Sequence, residues 1–210
     1  MEILKNFAVF EGIDGSGTTT QLDILEKFFN QNRNKLPPFY KTVEPTDGSI
    51  GKLIRSALRN EITLDAKTSA FLFAADRNEH IYGPGGVAEH CLRGELVVSD
   101  RYFPSSLVYQ GITCGQELPD RLNRDFPCPE LLLFFDVETE TAQERMAGRA
   151  AKEIYEYLDF QIQVRERYKA LLPRLAEQGV RVETIDASPP PDEVAREVWR
   201  AIAKMPIIKG

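Results

Sequence analysis

Short apolar runs alternate with longer stretches of helical period along this chain. Residues 7–11, 39–43, 95–99, 131–137 and 180–185 read as strands, and 19–30, 50–59, 65–82, 87–92, 139–149, 157–177 and 192–204 read as helices. In the first helix Leu22, Leu25, Phe28 and Phe29 share one apolar face. The runs LVVS at 96–99 and LLLFFDV at 131–137 are too continuously apolar for a sheet with one wet face. They suit strands covered on both sides. Pro84 and Pro191 stand where a helix start tolerates a missing N–H. The alternation predicts an α/β fold: a five-stranded parallel sheet flanked by helices, with ligands at the carboxyl ends of the strands. No repeat, low-complexity tract or linker interrupts it, so residues 1–210 are expected to form a single domain.

Charge and cysteine usage narrow the choice of partners. The net charge of -6 speaks against a nucleic-acid polymer, which calls for a basic face, so anionic ligands must be drawn in by local Arg and Lys. Cys91, Cys114 and Cys128 are odd in number and lack C-x-x-C spacing, which points to a reducing compartment without a disulfide framework. His80 and His90 have no cysteine partners at metal-site spacing, and His80 reads as a helix residue. The chain enters an apolar strand directly, without a signal-peptide core, and no apolar run reaches membrane-spanning length. The expectation is a soluble cytoplasmic protein with no membrane partner.

The segment FAVFEGIDGSGTTT at 7–20 carries the most specific chemistry. It matches G-x-x-x-x-G-K-[ST] as Gly12, Ile13, Asp14, Gly15, Ser16, Gly17, Thr18 and Thr19, with Thr18 where the lysine belongs. Glycines at this spacing let backbone N–H groups wrap a phosphate, and the helix that follows adds its positive end. Thr19 holds the hydroxyl position that serves Mg²⁺, and Thr20 continues the helix. The loop sits between a strand and an amphipathic helix, as the motif requires. A plain glycine-rich turn is the bland alternative. A dinucleotide-binding turn fits less well, because the glycines run G-x-x-G-x-G. The fold expected is therefore P-loop NTPase-like, binding nucleotide phosphates. Asp100, just beyond a buried strand in ELVVSDRY, is a second candidate Mg²⁺ ligand, direct or through water. Pairing with Arg101 at a strand end is its structural alternative.

Four blocks then resemble the thymidylate kinases: FEGIDGSGTTTQ at 10–21, FLFAADRNEH at 71–80, SDRYFPSSLVYQG at 99–111 and the stretch from ERMAGR to EIYE at 144–156. PELLLFFDVETETAQER at 129–145 and IDASPPPDEVAREV at 185–198 add support, so the resemblance covers nearly the whole chain. It implies transfer of the γ-phosphoryl group of ATP to dTMP with Mg²⁺, a helical lid over about residues 145–157, and a homodimer. The donor phosphates would lie on the loop from Gly12 to Thr20. Phe73 and Arg77, four apart on one helix, can face a ligand together. The resemblance implies that Phe73 stacks on thymine and Arg77 donates to O4, which favours a 4-keto pyrimidine over cytosine. Without it, a core Phe73 and an Arg77 paired with Asp76 or Glu79 would be the simpler reading.

By the same resemblance Arg101 binds the acceptor phosphate, Ser105, Ser106 and Tyr109 line the base and sugar, and Asp14 reaches the 3′-OH. Tyr155 and Glu156 match the sugar-contacting pair near the lid. Arg145 and Arg149, which periodicity alone makes a solvated helix face, become lid arginines that close over the transferring group. Arg149, Arg145, Arg101 and Asp100 are thus the implied catalytic residues. Three positions depart from the family pattern: Thr18 for the loop lysine, Val43 for an arginine before Glu44-Pro45, and Ile154 for an arginine before the Tyr-Glu pair. They leave open a nucleotide-binding pseudokinase, or a kinase for another deoxynucleoside monophosphate.

Overall fold

The computed structural model describes residues 2–146 and 158–209. Five strands, β1 (Ile3–Gly12), β2 (Phe39–Val43), β3 (Leu96–Asp100), β4 (Cys128–Asp136) and β5 (Arg181–Asp186), form one sheet in the order β2-β3-β1-β4-β5. Every neighbouring pair is parallel. The helices are α1 (Thr18–Gln31), α2 (Ser49–Leu58), α3 (Ala66–Tyr82), α4 (Val87–Leu92), α5 (Phe103–Cys114), α6 (Glu117–Asn123), α7 (Thr139–Met146), α8 (Leu158–Glu177), α9 (Pro191–Ile202) and α10 (Pro206–Lys209). Helices α1 and α9 pack together, while α3, α5, α6 and α8 form a second group through α5.

The sheet is covered on both faces, as its apolar runs require. Phe7 to Phe10 on β1 and Leu131 to Phe135 on β4 are all buried at 1% exposure or less. Each large side chain so buried contributes roughly 1.5–3 kcal/mol of transfer free energy. β1 begins four residues earlier than the period suggests. Asn6 takes φ 65 and the register to β4 slips between Leu4 and Ala8, which hides the alternation.

Three helices, α5, α6 and the single turn α10, have no counterpart in the sequence pattern. Pro104, Ser105, Ser106 and Gly111 are weak helix formers, and α5 is buried at Phe103, Pro104, Ser106, Val108, Tyr109, Gln110 and Gly111, so no polar stripe marks it. Tertiary burial overrides propensity there. Helix α7 is described only to Met146, short of the expected 149.

Register builds the cleft. Phe10 lies opposite Asp100, and Val43 lies opposite Asp100 on the other side. The loop after β1, the turn after β3 and the turn after β2 therefore open side by side at the carboxyl edge of the sheet.

Candidate active site

A cavity of ≈ 370 Å³ opens at that edge, lined on one side by the glycine-rich loop and on the other by Phe73, Arg77, Arg101 and Tyr109. The loop turns sharply. Gly15 has φ 84, and a Cβ on it would lie 2.4 Å from the Ala142 carbonyl oxygen. Gly17, at φ 96, precedes the first residue of α1, so the free N–H groups of that helix end face the cavity. Thr18 is buried at 8% exposure on the cavity wall.

Thr19 Oγ1 donates to Asp100 Oδ2 at 2.5 Å, across 81 residues of sequence. The other carboxylate oxygen, Asp100 Oδ1, is buried without a hydrogen-bond partner among the described residues. An unsatisfied buried carboxylate oxygen beside a threonine hydroxyl is an oxygen-rich corner that suits a hard divalent cation such as Mg²⁺.

Arg101 stands at the centre, at φ 71, a strained conformation for a residue with a side chain. The turn is held by Arg101 N–H donating to Phe10 O at 2.9 Å and by Ser99 Oγ donating to Arg101 O at 2.7 Å. Its guanidinium pairs with Asp14 and donates to Gly12 O at 3.1 Å, Ser105 Oγ at 3.2 Å and Tyr109 Oη at 3.3 Å. Asp14 also accepts from Tyr109 Oη at 3.2 Å and Gln161 Nε2 at 2.9 Å, while its own N–H donates to Gln161 Oε1 at 3.1 Å. Asp14 is thus held by Arg101, Tyr109 and Gln161.

Phe73 and Arg77 both line the cavity from α3. Arg77 is 1% exposed, and its partner is neither Asp76 nor Glu79 but Glu44, at 2.7 Å. It also donates to Asn123 Oδ1 at 2.5 Å and Ser106 Oγ at 3.0 Å, between the rings of Tyr102 and Phe126. His80 Nδ1 sits 2.9 Å from the second Glu44 oxygen, with Nε2 2.6 Å from Thr42 Oγ1. Asp76 accepts from the N–H and hydroxyl of Thr46, both at 2.7 Å, and so fixes the turn after β2.

Several residues in the cavity wall or packed behind it escaped sequence reasoning. Arg55 lines the cavity from α2, donates to Pro45 O, and has a buried Nε without a hydrogen-bond partner among the described residues. Its only sequence signal is a cation on an amphipathic helix. Gln161 and Asn123 carried none. Glu11 is fully buried beneath Arg101, and burial raises its carboxyl from 4.5 to about 7 against the opposing charge of Arg101. The folded chain therefore holds this proton more tightly than the unfolded chain. The stability it contributes is present below pH 4.5 and is lost as pH rises through about 7. A Glu11→Gln chain is expected to lose that component, measured as a flatter stability profile in urea melts between about pH 5 and 8.

On the lid side, Arg145 Nη2 donates to Ser188 O at 3.1 Å, toward the β5–α9 turn. Arg149, Tyr155 and Glu156, together with Lys152 and Ile154, lie outside the described residues. Among the described residues no helix is long and apolar enough to cross a membrane.

A parallel sheet whose central strand feeds a phosphate-type loop, with an arginine-lined second half in the same cavity, is the arrangement of a P-loop nucleoside monophosphate kinase. Comparison with known proteins is more specific. The thymidylate kinase family model matches residues 10–198, and the chain belongs to that family. It is 42% identical to a Treponema pallidum protein over 89% of each chain. It is 40% identical to one from Pyrobaculum aerophilum, over 95% of this chain and 97% of the relative. A Methanococcus maripaludis relative is 38% identical, over 98% and 99%. All three are provisionally named thymidylate kinases.

Proposed function

We propose that the chain transfers the γ-phosphoryl group of ATP to dTMP, giving ADP and dTDP on the way to dTTP. The observation that carries this reading is the meeting, in one cavity, of the glycine-rich loop with Phe73, Arg77 and Arg101. Donor phosphates lie on the amides from Gly12 to Thr20, and Thr19 and Asp100 hold Mg²⁺, which neutralises phosphate charge when bound. Phe73 takes the face of the thymine ring and Arg77 donates to its 4-keto oxygen. A cytosine would offer that guanidinium a donor in place of an acceptor.

Arg101 binds the acceptor phosphate, and Arg55 supplies a second cation where Val43 cannot. Ser105, Ser106, Tyr109 and Asp14 surround the base and sugar, with Tyr155 and Glu156 joining from the lid. Arg149 and Arg145 close on the donor side. Transfer is in line, without a covalent enzyme intermediate, because positioning and charge neutralisation supply the catalysis. The chain acts as a homodimer. Helices α2 and α3 lie side by side and expose Leu53 and Phe71 at 42% and 52%, which a second copy would cover. Sedimentation at twice the chain mass is the expected result.

The test is ADP release coupled to dTMP addition, in the presence of ATP and Mg²⁺. Clear dTMP-dependent turnover, lost in Arg149→Ala, supports the reading; dTMP binding without turnover makes the protein a nucleotide-binding pseudokinase. Thr18→Lys addresses the substituted loop position. A missing charge-assisted hydrogen bond is worth roughly 1.5–3 kcal/mol, about 10–150-fold, and the loss of a donor that acts mainly in the transition state about 10²–10³-fold. With lid arginines supplying that charge, Thr18→Lys is expected to raise kcat/KM for ATP by less than about tenfold. A gain near a hundredfold would show a donor site that lacks its cation.

A further inference from the structure

Beneath Arg101 three oxygen atoms close a triangle. Glu11 Oε2 lies 2.7 Å from Ser105 Oγ and 2.8 Å from Tyr168 Oη, and the two hydroxyls are 2.9 Å apart. All three edges have hydrogen-bond length. Each hydroxyl carries a single hydrogen. Burial pushes Tyr168 well above the ordinary tyrosine range, so it keeps its own. Were Glu11 a carboxylate, the two hydroxyl hydrogens would serve only two of the three edges, and the third would set lone pairs face to face. A hydrogen on the carboxyl completes the ring: Glu11 to Tyr168, Tyr168 to Ser105, Ser105 back to Glu11. The other oxygen, Oε1, accepts the Tyr102 N–H at 2.9 Å and the Ser105 N–H at 3.4 Å, which anchors the acid.

We infer that Glu11 is a protonated positioning residue that senses charge at Arg101 through Ser105, so that an acceptor phosphate arriving at Arg101 is accompanied by proton uptake from solvent at Glu11. This rests on the reading of Arg101 as the acceptor-phosphate ligand. The link is short, because Ser105 Oγ accepts from Arg101 Nη1 at 3.2 Å and belongs to the triangle. Among the described residues, the charged and titratable groups facing Glu11 are Arg101 and Tyr102 after β3 and Tyr168 on α8, and those around Arg101 itself are Asp100 at the end of β3, Asp14 in the loop, Tyr109 on α5 and Tyr168. Burial favours the neutral acid, and the Arg101 charge is the largest influence against it. A phosphate dianion on Arg101 cancels that influence, and the remaining carboxylate fraction takes up a proton. A ligand that takes up a proton binds more weakly as pH rises. Above about pH 7 a phosphate monoester is already dianionic, so its own titration adds little there.

Calorimetry of the whole chain with dTMP, in buffers of differing ionisation enthalpy at about pH 7.5, reads the uptake directly. The expected result is a fractional proton gained with dTMP, none gained with thymidine, and affinity for dTMP falling on the order of tenfold between about pH 7 and 9. In Glu11→Gln, whose amide offers one accepting and one donating end, the uptake should vanish and the affinity profile flatten. A purely structural Glu11 would move neither. Binding of dTMP without proton uptake overturns the inference and leaves the kinase reading standing. Uptake that persists in Glu11→Gln overturns it too, by assigning the proton elsewhere. Failure of dTMP to bind removes the acceptor-site reading and this inference with it. Should Glu11→Gln not fold, infrared difference spectra of the ¹³C-glutamate-labelled chain decide. A protonated-carboxyl band must grow when dTMP is added, and an unchanged band overturns the inference.

Discussion

Arg101→Met is expected to lower kcat/KM for dTMP by about 10³-fold. Loss of one preorganised donor to a developing charge typically costs 10²–10³-fold. Here the loss is compounded, because Asp14 would keep only Tyr109 and Gln161 as described polar partners and its carboxylate would face the incoming phosphate dianion. Like charges at this distance repel in a partly dehydrated cavity. Methionine keeps most of the side-chain volume, and the strained backbone at φ 71 is common to both chains, so the comparison isolates the guanidinium. Steady-state kinetics read the loss, and a thermal melt checks that the fold survives. A loss below tenfold would remove Arg101 from the acceptor phosphate.

Arg77→Met is expected to destabilise the fold by about 3–5 kcal/mol, because it strands the buried Glu44 carboxylate. Arg77 and Glu44 have side chains 1% and 3% exposed, so water cannot replace the missing partner. For a chain of this size the melting temperature should fall on the order of 10 °C. His80 alone then remains against Glu44. Adding Glu44→Gln to Arg77→Met should restore a substantial part of the loss, since the orphaned charge goes with it. Urea unfolding of the two single variants and the double variant measures the coupling. Equal destabilisation in the double and in Arg77→Met would mean that the pair contributes packing alone.

These two arginines differ in how far the amino-acid pattern exposes them. Arg101 follows a buried strand in a recognisable motif, so its place at the sheet edge could be read directly. Arg77 could be placed on a helix with Phe73, yet nothing local indicated that Glu44, 33 residues earlier, is its counter-ion. The spacing had offered Asp76 and Glu79, which are neighbours in sequence but point elsewhere. Glu11 looked like the last residue of a strand, and its burial against Tyr168 joins positions 157 residues apart. Helix α5 was invisible for a related reason, since burial on all sides erases the polar stripe that periodicity detects.

From the sequence alone came the α/β class, the five strands, the glycine-rich loop with Thr18 in place of lysine, and the kinase resemblance. Each depends on neighbours within a few residues, or on a motif whose spacing is itself the geometry. Tertiary structure alone decided which buried charges meet: Arg77 with Glu44 and His80, Asp14 with Arg101 and Gln161, Glu11 with Ser105 and Tyr168. It also set Asp100 opposite Phe10, through a strand order that runs β2-β3-β1 across the sheet. Such pairings depend on how crossover connections bring distant segments together, and hydrophobic period along the chain carries no record of which polar groups will face one another once water is excluded.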